Sequence, residues 1–247
     1  MTIALGFAAN DGLLLCADME QTIGGQIKTY DGKVQEIIFH EAAVTVVGAG
    51  DVDYIRTAIS AVTADFPDSG TLPEVEEELR ERLLKFFDDH LARWASFPAY
   101  DRPTVELLVG VSGKKFAPTL FHYQGTAFAR TSRMAIGSGV LLANELMHRY
   151  CHANYTVNEL ASLAIYILSK VKEGVVGCGG LTHITALRKN RDIAWSEKVQ
   201  VEKLESEFLE MEAASNAAFA RAIAEKPLSL SWLSEHRKKS LPPPTSE

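Results

Sequence analysis

The chain has 247 residues, of which 47% are hydrophobic and 23% are charged, and this length suffices to bury one sizeable core. Its formal net charge of -7 disfavours a nucleic-acid-binding surface, and no apolar run approaches the roughly 20 residues that span a membrane. Three cysteines without paired spacing and the lack of a signal peptide favour a reducing compartment, so we expect a cytoplasmic protein that binds neither nucleic acid nor membrane.

Strands dominate the first fifty residues. Apolar runs at residues 2–8 and 13–17 flank Asn10-Asp11-Gly12, and Asp-Gly between two such runs predicts a tight antiparallel hairpin. Apolar runs at 33–39 and 43–47 predict a second pair of strands.

Helices follow, because the apolar residues change to helical spacing after residue 50. Asp51 is expected to cap a helix that continues through residue 62. Thr71 and Glu74 form a capping box, and Pro73 suits the first turn of a second helix that extends toward Pro98.

The second half of the chain repeats this succession of strand and helix blocks. A Gly-Ser-Gly turn at residues 137–139 begins one helix, and a capping box of Thr156 and Glu159 begins another. The remaining predicted elements are strands at 104–111, 117–123, 126–136, 181–187 and 193–195 and a last helix at 201–224.

The order of the blocks predicts the fold class. Strands and helices come in groups instead of strict alternation, which favours α+β. Two antiparallel sheets stacked face to face, with a helix pair on each outer face, would bury all the apolar faces in a four-layer αββα sandwich. We assign residues 1–198 to this domain and residues 199–247 to a C-terminal helix with a mobile tail.

Thr2 becomes a candidate nucleophile if Met1 is removed. The freed α-amine would serve as the base for the Thr2 hydroxyl, since its ordinary pKa of about 7.7–8.0 leaves it partly neutral near physiological pH. A neighbouring ammonium lowers that pKa, and a carboxylate can hold the ammonium in place. Asp18 ends the second hairpin strand and Lys33 begins the next strand, so both are candidates for these roles.

Gly48, Ala49 and Gly50 form a predicted turn between a strand and a helix. Glycine allows backbone N–H groups to approach a substrate closely. We therefore expect the amides of this turn to stabilise an oxyanion.

The motifs at these positions resemble those of the proteasome β-subunit family and its bacterial ring-peptidase relatives, the threonine-type N-terminal nucleophile (Ntn) hydrolases. The family's D-G-x-x-x-x-A-D hairpin matches residues 11–18, and its T-x-G segment matches Thr22-Ile23-Gly24. Its K-[VI]-x-x-I strand matches residues 33–37, and its G-S-G turn matches residues 137–139. The resemblance covers about residues 2–195 and implies the Ntn-hydrolase fold.

The resemblance also implies roles for individual residues. Thr2 would be the nucleophile, Lys33 and Asp18 would tune it, and Ser138 would support its amine. The other implied residues line the substrate cleft or the oxyanion site: Thr22, Gly24, Gly48, Ala49 and Gly50.

An assembly and a substrate class follow from the same resemblance. It predicts a threonine endopeptidase that forms a homo-oligomeric ring, hydrolyses peptides or unfolded proteins and receives them from a candidate ATPase unfoldase. No cofactor and no metal are expected. His148, Cys151 and His152 fall on one helix face but lack a fourth ligand, so we interpret them as a polar helix end.

One segment departs from the family pattern. The family carries D-x-x-S-G-G before a late strand, and its Asp and Ser complete the network around the Thr amine. Here Val175 and Cys178 occupy those two positions. Three hypotheses stay open: an active peptidase, a catalytically inactive ring-forming or binding protein, and a non-proteolytic Ntn amidohydrolase.

Overall fold

The computed structural model describes residues 2–23, 27–30, 33–64, 66, 70–152 and 154–225. The described residues divide into two units, with the boundary between residues 205 and 206. No helix in these described ranges is both long and apolar enough to cross a membrane. The predicted tail beyond residue 227 lies outside the described residues, and the predicted boundary after residue 198 stays a prediction.

Antiparallel strands build two five-stranded sheets and one separate hairpin. The twelve strands of the described ranges are β1 Ile3–Ala8, β2 Gly12–Asp18, β3 Glu20–Ile23, β4 Ile27–Tyr30, β5 Val34–Ile38, β6 Ala42–Gly50, β7 Val105–Gly113, β8 Phe116–Gln124, β9 Ala127–Arg130, β10 Arg133–Gly137, β11 Thr182–Arg188 and β12 Ile193–Trp195. The first sheet has the order β10-β1-β2-β11-β12, the second has the order β5-β6-β7-β8-β9, and β3 pairs with β4.

Five α-helices accompany the strands in the described part of the chain. They are α1 Val52–Thr63, α2 Leu72–Phe86, α3 Val140–Tyr150, α4 Val157–Gly174 and α5 Lys198–Glu225. After α2 the chain continues through a wider helical turn at Phe87–Leu91 and a tighter one at Ala92–Ser96, so the helical path extends toward Pro98 as expected.

Four layers result because each sheet is buried on both faces. α1 packs against β6 and β7 with α2 beside it, and α4 packs against β1, β2 and β11 with α3 beside it. In β6, Ala42, Val44 and Val46 face the α1–α2 side, whereas Ala43 and Val47 face the first sheet. Strand side chains alternate between faces, so one strand contributes to both cores. The predicted four-layer α+β sandwich is confirmed.

The first hairpin forms as predicted and also anchors a helix. Ala4 pairs with Ala17, and Ala8 pairs with Leu13. The Asp11 carboxylate in the turn accepts a 2.8 Å hydrogen bond from the backbone N–H at position 157, where α4 begins. The turn therefore fixes the start of the helix that covers the first sheet.

Both predicted capping boxes are present at helix starts. Thr71 and Glu74 begin α2, and Thr156 and Glu159 begin α4. In each box the glutamate carboxylate accepts the threonine backbone N–H, at 2.7 Å and 2.8 Å respectively. These hydrogen bonds lower the pKa of both glutamates, because they stabilise the charged carboxylate.

Residues 126–136 form two strands where the sequence predicts one. β9 pairs with β8 in the second sheet, whereas β10 pairs with β1 in the first. Thr131 lies at the crossing, where its hydroxyl donates to the Arg133 carbonyl at 2.8 Å. The two halves pair with different sheets, and which distant strand each half meets is not determined by its own residues. The four-residue strands β3 and β4 are likewise too short to show a periodic pattern.

Candidate active site

Thr2 is held by backbone contacts on both sides. Its carbonyl oxygen accepts a 2.8 Å hydrogen bond from the Ser138 N–H, and the next residue, Ile3, donates its N–H to the Asp18 carboxylate at 3.0 Å. Gly137 has a φ of +97°, and a Cβ at this position would overlap the Thr2 carbonyl oxygen. Glycine therefore lets the end of β10 approach Thr2 closely.

Asp18 and Lys33 form a buried ion pair. Asp18 is fully buried at the end of β2, and Lys33 immediately precedes β5. Lys33 Nζ lies 2.7 Å from Asp18 Oδ1 and 2.6 Å from the carbonyl oxygen of Glu20. The other carboxylate oxygen, Asp18 Oδ2, accepts the Gly179 N–H at 2.9 Å. Both oxygens of the buried carboxylate thus have donors, as a buried charge requires.

This ion pair lies against the peptide that joins Thr2 to β1. One atom, Asp18 Oδ1, accepts hydrogen bonds from the Ile3 N–H at 3.0 Å and from Lys33 Nζ at 2.7 Å. The distance between the Ile3 nitrogen and Lys33 Nζ therefore cannot exceed the sum of these two hydrogen-bond lengths. The Lys33 ammonium is thus a close neighbour of the Thr2–Ile3 peptide.

Burial controls the electrostatics of Lys33. Removal from water lowers the pKa of Lys33 below its ordinary value, and the Asp18 carboxylate opposes that shift. A charge in a poorly hydrated place acts more strongly on its neighbours than the same charge in water. Lys33 is therefore well suited to change the pKa of another ionisable group nearby.

The candidate oxyanion residues Gly48, Ala49 and Gly50 lie in β6 instead of forming the predicted turn. They continue the pairing with β7, whereas β5 pairs with β6 only as far as Val47. Gly50 has a φ of +121°, and a Cβ there would overlap the Thr104 carbonyl oxygen, so the chain bends toward α1 at this glycine. The turn prediction is wrong because β7 extends the strand, and the oxyanion role stays a prediction.

A cavity of about 390 Å³ opens beside Thr2. Its wall includes the hydroxyl-bearing residues Thr104 and Ser138 and the acidic residues Asp51 and Glu106. The remaining wall residues are Ala49, Gly50 and Gly137. The candidate nucleophile Thr2, Ser138 and two of the three candidate oxyanion residues, Ala49 and Gly50, therefore border one space, and Gly48 does not line it.

Asp51, Thr104 and Glu106 border this cavity, although the sequence marks Asp51 only as a helix cap and does not mark the other two. Asp51 precedes α1 but makes no side-chain cap hydrogen bond, and its carboxylate accepts the Thr104 N–H at 2.8 Å. Glu106 accepts a 2.7 Å hydrogen bond from the side chain of Gln124. Asp51 and Thr104 are 53 positions apart, and only the pairing of β6 with β7 brings them together.

Three further residues are predicted for the site: Ser138, Thr22 and Gly24. The Ser138 side chain is exposed. Thr22 lies in β3 opposite Lys28, and Gly24 lies outside the described residues. In the part of the chain that the structure describes, no group of three or more His, Cys, Asp or Glu side chains could hold a metal ion.

Comparison with protein families identifies the chain's relatives. The family model described as "Proteasome subunit" matches residues 2–185. The chain belongs to the proteasome subunit family. The match covers Thr2, Asp18, Lys33 and Ser138, whereas no curated protein matches the sequence.

Solved structures of Anbu proteins have the same proteasome-like fold. The Gly-1 mutant of Anbu from Hyphomicrobium sp. strain MC1 has a TM-score of 0.71 and 13% identity, over 93% of this chain and 99% of that one. Anbu (ancestral beta-subunit) from Yersinia bercovieri has a TM-score of 0.70 and 14% identity, over 93% and 100%. The helical assembly of the Anbu complex from Pseudomonas aeruginosa has a TM-score of 0.70 and 12% identity, over 93% and 99%. At these identities the likeness shows the fold alone.

The segment that departs from the proteasome pattern is close to the ion pair. Cys178 is buried, and burial raises the pKa of its thiol to about 11, with Asp18 adding to this effect and Lys33 opposing it. Val175 is half-buried, and its carbonyl accepts the Cys178 N–H at 3.2 Å. The segment therefore offers a neutral thiol and an apolar side chain where the family has Ser and Asp.

Proposed function

We propose that this proteasome-family chain, once Met1 is removed, is an N-terminal threonine hydrolase that cleaves peptide bonds. The supporting observation is that Lys33 Nζ and the Ile3 N–H converge on one oxygen of the buried Asp18. A terminal amine that acts as a base benefits from an ammonium held nearby, because the like charge lowers the pKa of the amine.

The first half-reaction would transfer the acyl group of the substrate to Thr2. The Thr2 hydroxyl oxygen attacks the carbonyl carbon while its proton passes to the neutral α-amine of the same residue. The former carbonyl oxygen takes the negative charge, and the amides of Gly48, Ala49 and Gly50 stabilise it. The C–N bond then breaks, the leaving nitrogen takes the proton from the α-ammonium, and an ester to Thr2 remains.

Water would complete the cycle. A water molecule attacks the ester carbonyl while the α-amine accepts its proton. The bond from carbon to the Thr2 oxygen breaks, and that oxygen takes a proton back from the α-ammonium. Each cycle uses one water molecule to hydrolyse one amide bond and regenerates the free hydroxyl and α-amine of Thr2.

Other residues would support the amine and the substrate. Lys33 lowers the pKa of the amine, and Asp18 holds Lys33 in place. Ser138 borders the cavity with Thr2, so its hydroxyl is a candidate hydrogen-bond partner for the freed amine. Thr22 and Gly24 would line the cleft for an extended peptide.

We further propose that the chain forms a homo-oligomeric ring in the cytoplasm, which confines peptides or unfolded proteins received from an ATPase unfoldase. Family membership supports this proposal, and the Anbu complex from Pseudomonas aeruginosa forms a helical assembly. Size-exclusion chromatography with light scattering on the full chain tests the assembly. A particle with the mass of one subunit would contradict it.

A catalytically inactive ring or binding protein is the second candidate. The observation that favours it is the pair Val175 and Cys178, because a valine side chain can neither accept a hydrogen bond nor carry charge. A non-proteolytic Ntn amidohydrolase is the third candidate, and the hydroxyl and carboxylate side chains in the wall of the cavity beside Thr2 would suit a small amide substrate.

Hydrolysis of fluorogenic peptide amides by the full-length chain tests the proposed chemistry. The substrates should carry apolar, basic or acidic residues next to the reporter group. We expect hydrolysis by the wild type and by Thr2→Ser, which keeps a hydroxyl, and a loss of at least about a hundredfold in Thr2→Ala. Equal rates in the wild type and Thr2→Ala would refute the proposal. No hydrolysis by the wild type, with Met1 retained, would favour the inactive ring.

A further inference from the structure

The segment of residues 179–182, here called the junction segment, lies against the end of β2 where Asp18 is located. The Gly179 N–H donates to Asp18 Oδ2 at 2.9 Å, and the Gly179 carbonyl accepts the Glu20 N–H at 3.0 Å. At the other end of the segment, Thr182 pairs with Asp18 in the first sheet. The junction segment therefore determines whether this oxygen of the buried Asp18 carboxylate has its donor.

The backbone of this region is rich in glycine and does not fix its own conformation. Gly177 has a φ of +86° and Gly180 has a φ of +73°. Glycine adopts such angles readily, but it loses more conformational freedom on ordering than any other residue. A segment of this composition therefore needs contacts from other elements to hold one conformation.

Lys172, in the last turn of α4, supplies such contacts. Its Nζ donates to the Gly180 carbonyl at 3.0 Å and to Thr182 Oγ1 at 2.9 Å. An ammonium has three donors, and the third reaches Glu205 Oε1 of α5 at 2.6 Å. One side chain therefore ties the junction segment to both α4 and α5.

Glu205 closes a triangle of hydrogen bonds with Lys172 and Thr182. Its Oε1 accepts from Lys172 Nζ and from Thr182 Oγ1, each at 2.6 Å. The Lys172 and Glu205 side chains are 12% and 17% exposed, and Thr182 is buried. Charge-assisted hydrogen bonds in such a poorly hydrated place are stronger than those between exposed groups. Val201, four residues earlier and on the same face of α5, is also buried, so this part of the helix is packed.

We infer that Lys172 and Glu205 are positioning residues, which hold the junction segment so that the Gly179 N–H stays on Asp18. The inference rests on the proposed function, in which Asp18 holds an ammonium beside Thr2. Both residues act through Gly179 and Asp18 and not on the reacting carbonyl. The first turns of α5 are then a part of the machinery that activity requires.

Hydrogen exchange of the full chain, followed by mass spectrometry with fragmentation that resolves single amides, tests this inference without requiring catalysis. The deciding amides are those of Gly179 and Glu20, which hydrogen bond across the junction. We expect Lys172→Met to speed their exchange by about tenfold or more, because the segment loses its charged hydrogen bonds and opens locally. The amides of β7, in the second sheet, should exchange as in the wild type. Glu202→Gln removes an exposed carboxylate from the same helix α5 and should change neither set of amides.

Each outcome of the exchange experiment decides the inference. Unchanged exchange at both junction amides in Lys172→Met would overturn it, and so would an equal increase in β7, which would indicate a loss of global stability. Lys172→Arg keeps the cation and should exchange more slowly at the junction than Lys172→Met; equal exchange would contradict a role for the charge. If Lys172→Met does not fold, Glu205→Gln decides, because it removes the opposite charge with little change of shape. Unchanged junction exchange in Glu205→Gln then overturns the inference.

Peptide hydrolysis by the same variants separates this inference from the proposed function. In an active protein, Lys172→Met should lower kcat by about tenfold or more and leave KM within about twofold, because Asp18 is displaced while the substrate cleft is intact. An unchanged kcat would overturn the positioning role. An inactive wild type whose junction exchange depends on Lys172 defeats the proposed function alone. An active wild type whose junction exchange is independent of Lys172 defeats this inference alone.

Discussion

Replacement of Asp18 by asparagine should strongly destabilise the fold, because this one side chain satisfies three donors. Asp18 Oδ1 accepts from the Ile3 N–H and from Lys33 Nζ, and Oδ2 accepts from the Gly179 N–H. The amide of asparagine has one oxygen and one NH₂ group. In either orientation the NH₂ group therefore faces a donor, and the Lys33 ammonium loses its counter-charge.

The expected magnitude follows from the burial of the pair. Asp18→Asn should lower the free energy of unfolding by about 3–5 kcal/mol, because it leaves a buried ammonium uncompensated. Lys33→Met should also be costly, since it leaves a buried carboxylate without its cation. The double variant should cost less than the sum of the two single variants, because neither charge remains. Asp88→Asn, at an exposed position, should change the free energy by less than about 0.5 kcal/mol.

Urea unfolding of the full chain, followed by circular dichroism at one fixed protein concentration, provides these free energies. The fixed concentration keeps any contribution from assembly constant. Strictly additive losses in the double variant would refute the argument that the two charges compensate each other. A loss for Asp18→Asn as small as that for Asp88→Asn would refute it as well.

Other single positions test separate parts of the fold and the site. Gly137→Ala should reduce thermal stability and peptide hydrolysis more than Gly125→Ala. Both glycines have a positive φ, but only a Cβ at residue 137 would overlap the Thr2 carbonyl oxygen. Equal effects of the two substitutions would contradict this expectation. Leu15→Ala should lower the free energy of unfolding by about 2–5 kcal/mol, because Leu15 is fully buried between the sheets. A loss below about 1 kcal/mol in urea titrations would contradict this packing. Cys178 should react slowly with iodoacetamide in the native protein, because burial raises the pKa of the thiol to about 11 and the reactive thiolate forms only as the pH rises toward that value. Peptide mass spectrometry that finds the same rate in native and urea-unfolded protein would contradict the last expectation.

The fold was predictable where neighbouring residues determine the structure. The Asp11 turn and the capping boxes that begin at Thr71 and Thr156 depend on local hydrogen bonds, and all of them form. The division of residues 126–136 between two sheets depends on which distant strand each half meets, so no local pattern reveals it. The extension of β6 through Gly50 likewise depends on its pairing with β7.

The candidate site was likewise predictable only where its residues lie close together in the sequence. The spacing of Thr2 and Asp18 along one hairpin, with Lys33 at the start of the next strand, allowed the three residues to be grouped from sequence, and the family resemblance gave the same grouping. Thr104 and Glu106 reach the cavity through the β6–β7 pairing, which leaves no mark near Thr2 in the sequence.

Intact mass spectrometry of the purified full chain, before and after treatment with a peptidyl epoxyketone, tests the central claim most directly. An epoxyketone has two electrophilic carbons, so an alcohol and an amine on one residue can both bond to it. We predict a protein that lacks Met1 and gains one inhibitor, with the adduct located on Thr2 by fragmentation and absent from Thr2→Ala. A folded protein that retains Met1 and gains no adduct would contradict the claim that Thr2 is an N-terminal nucleophile.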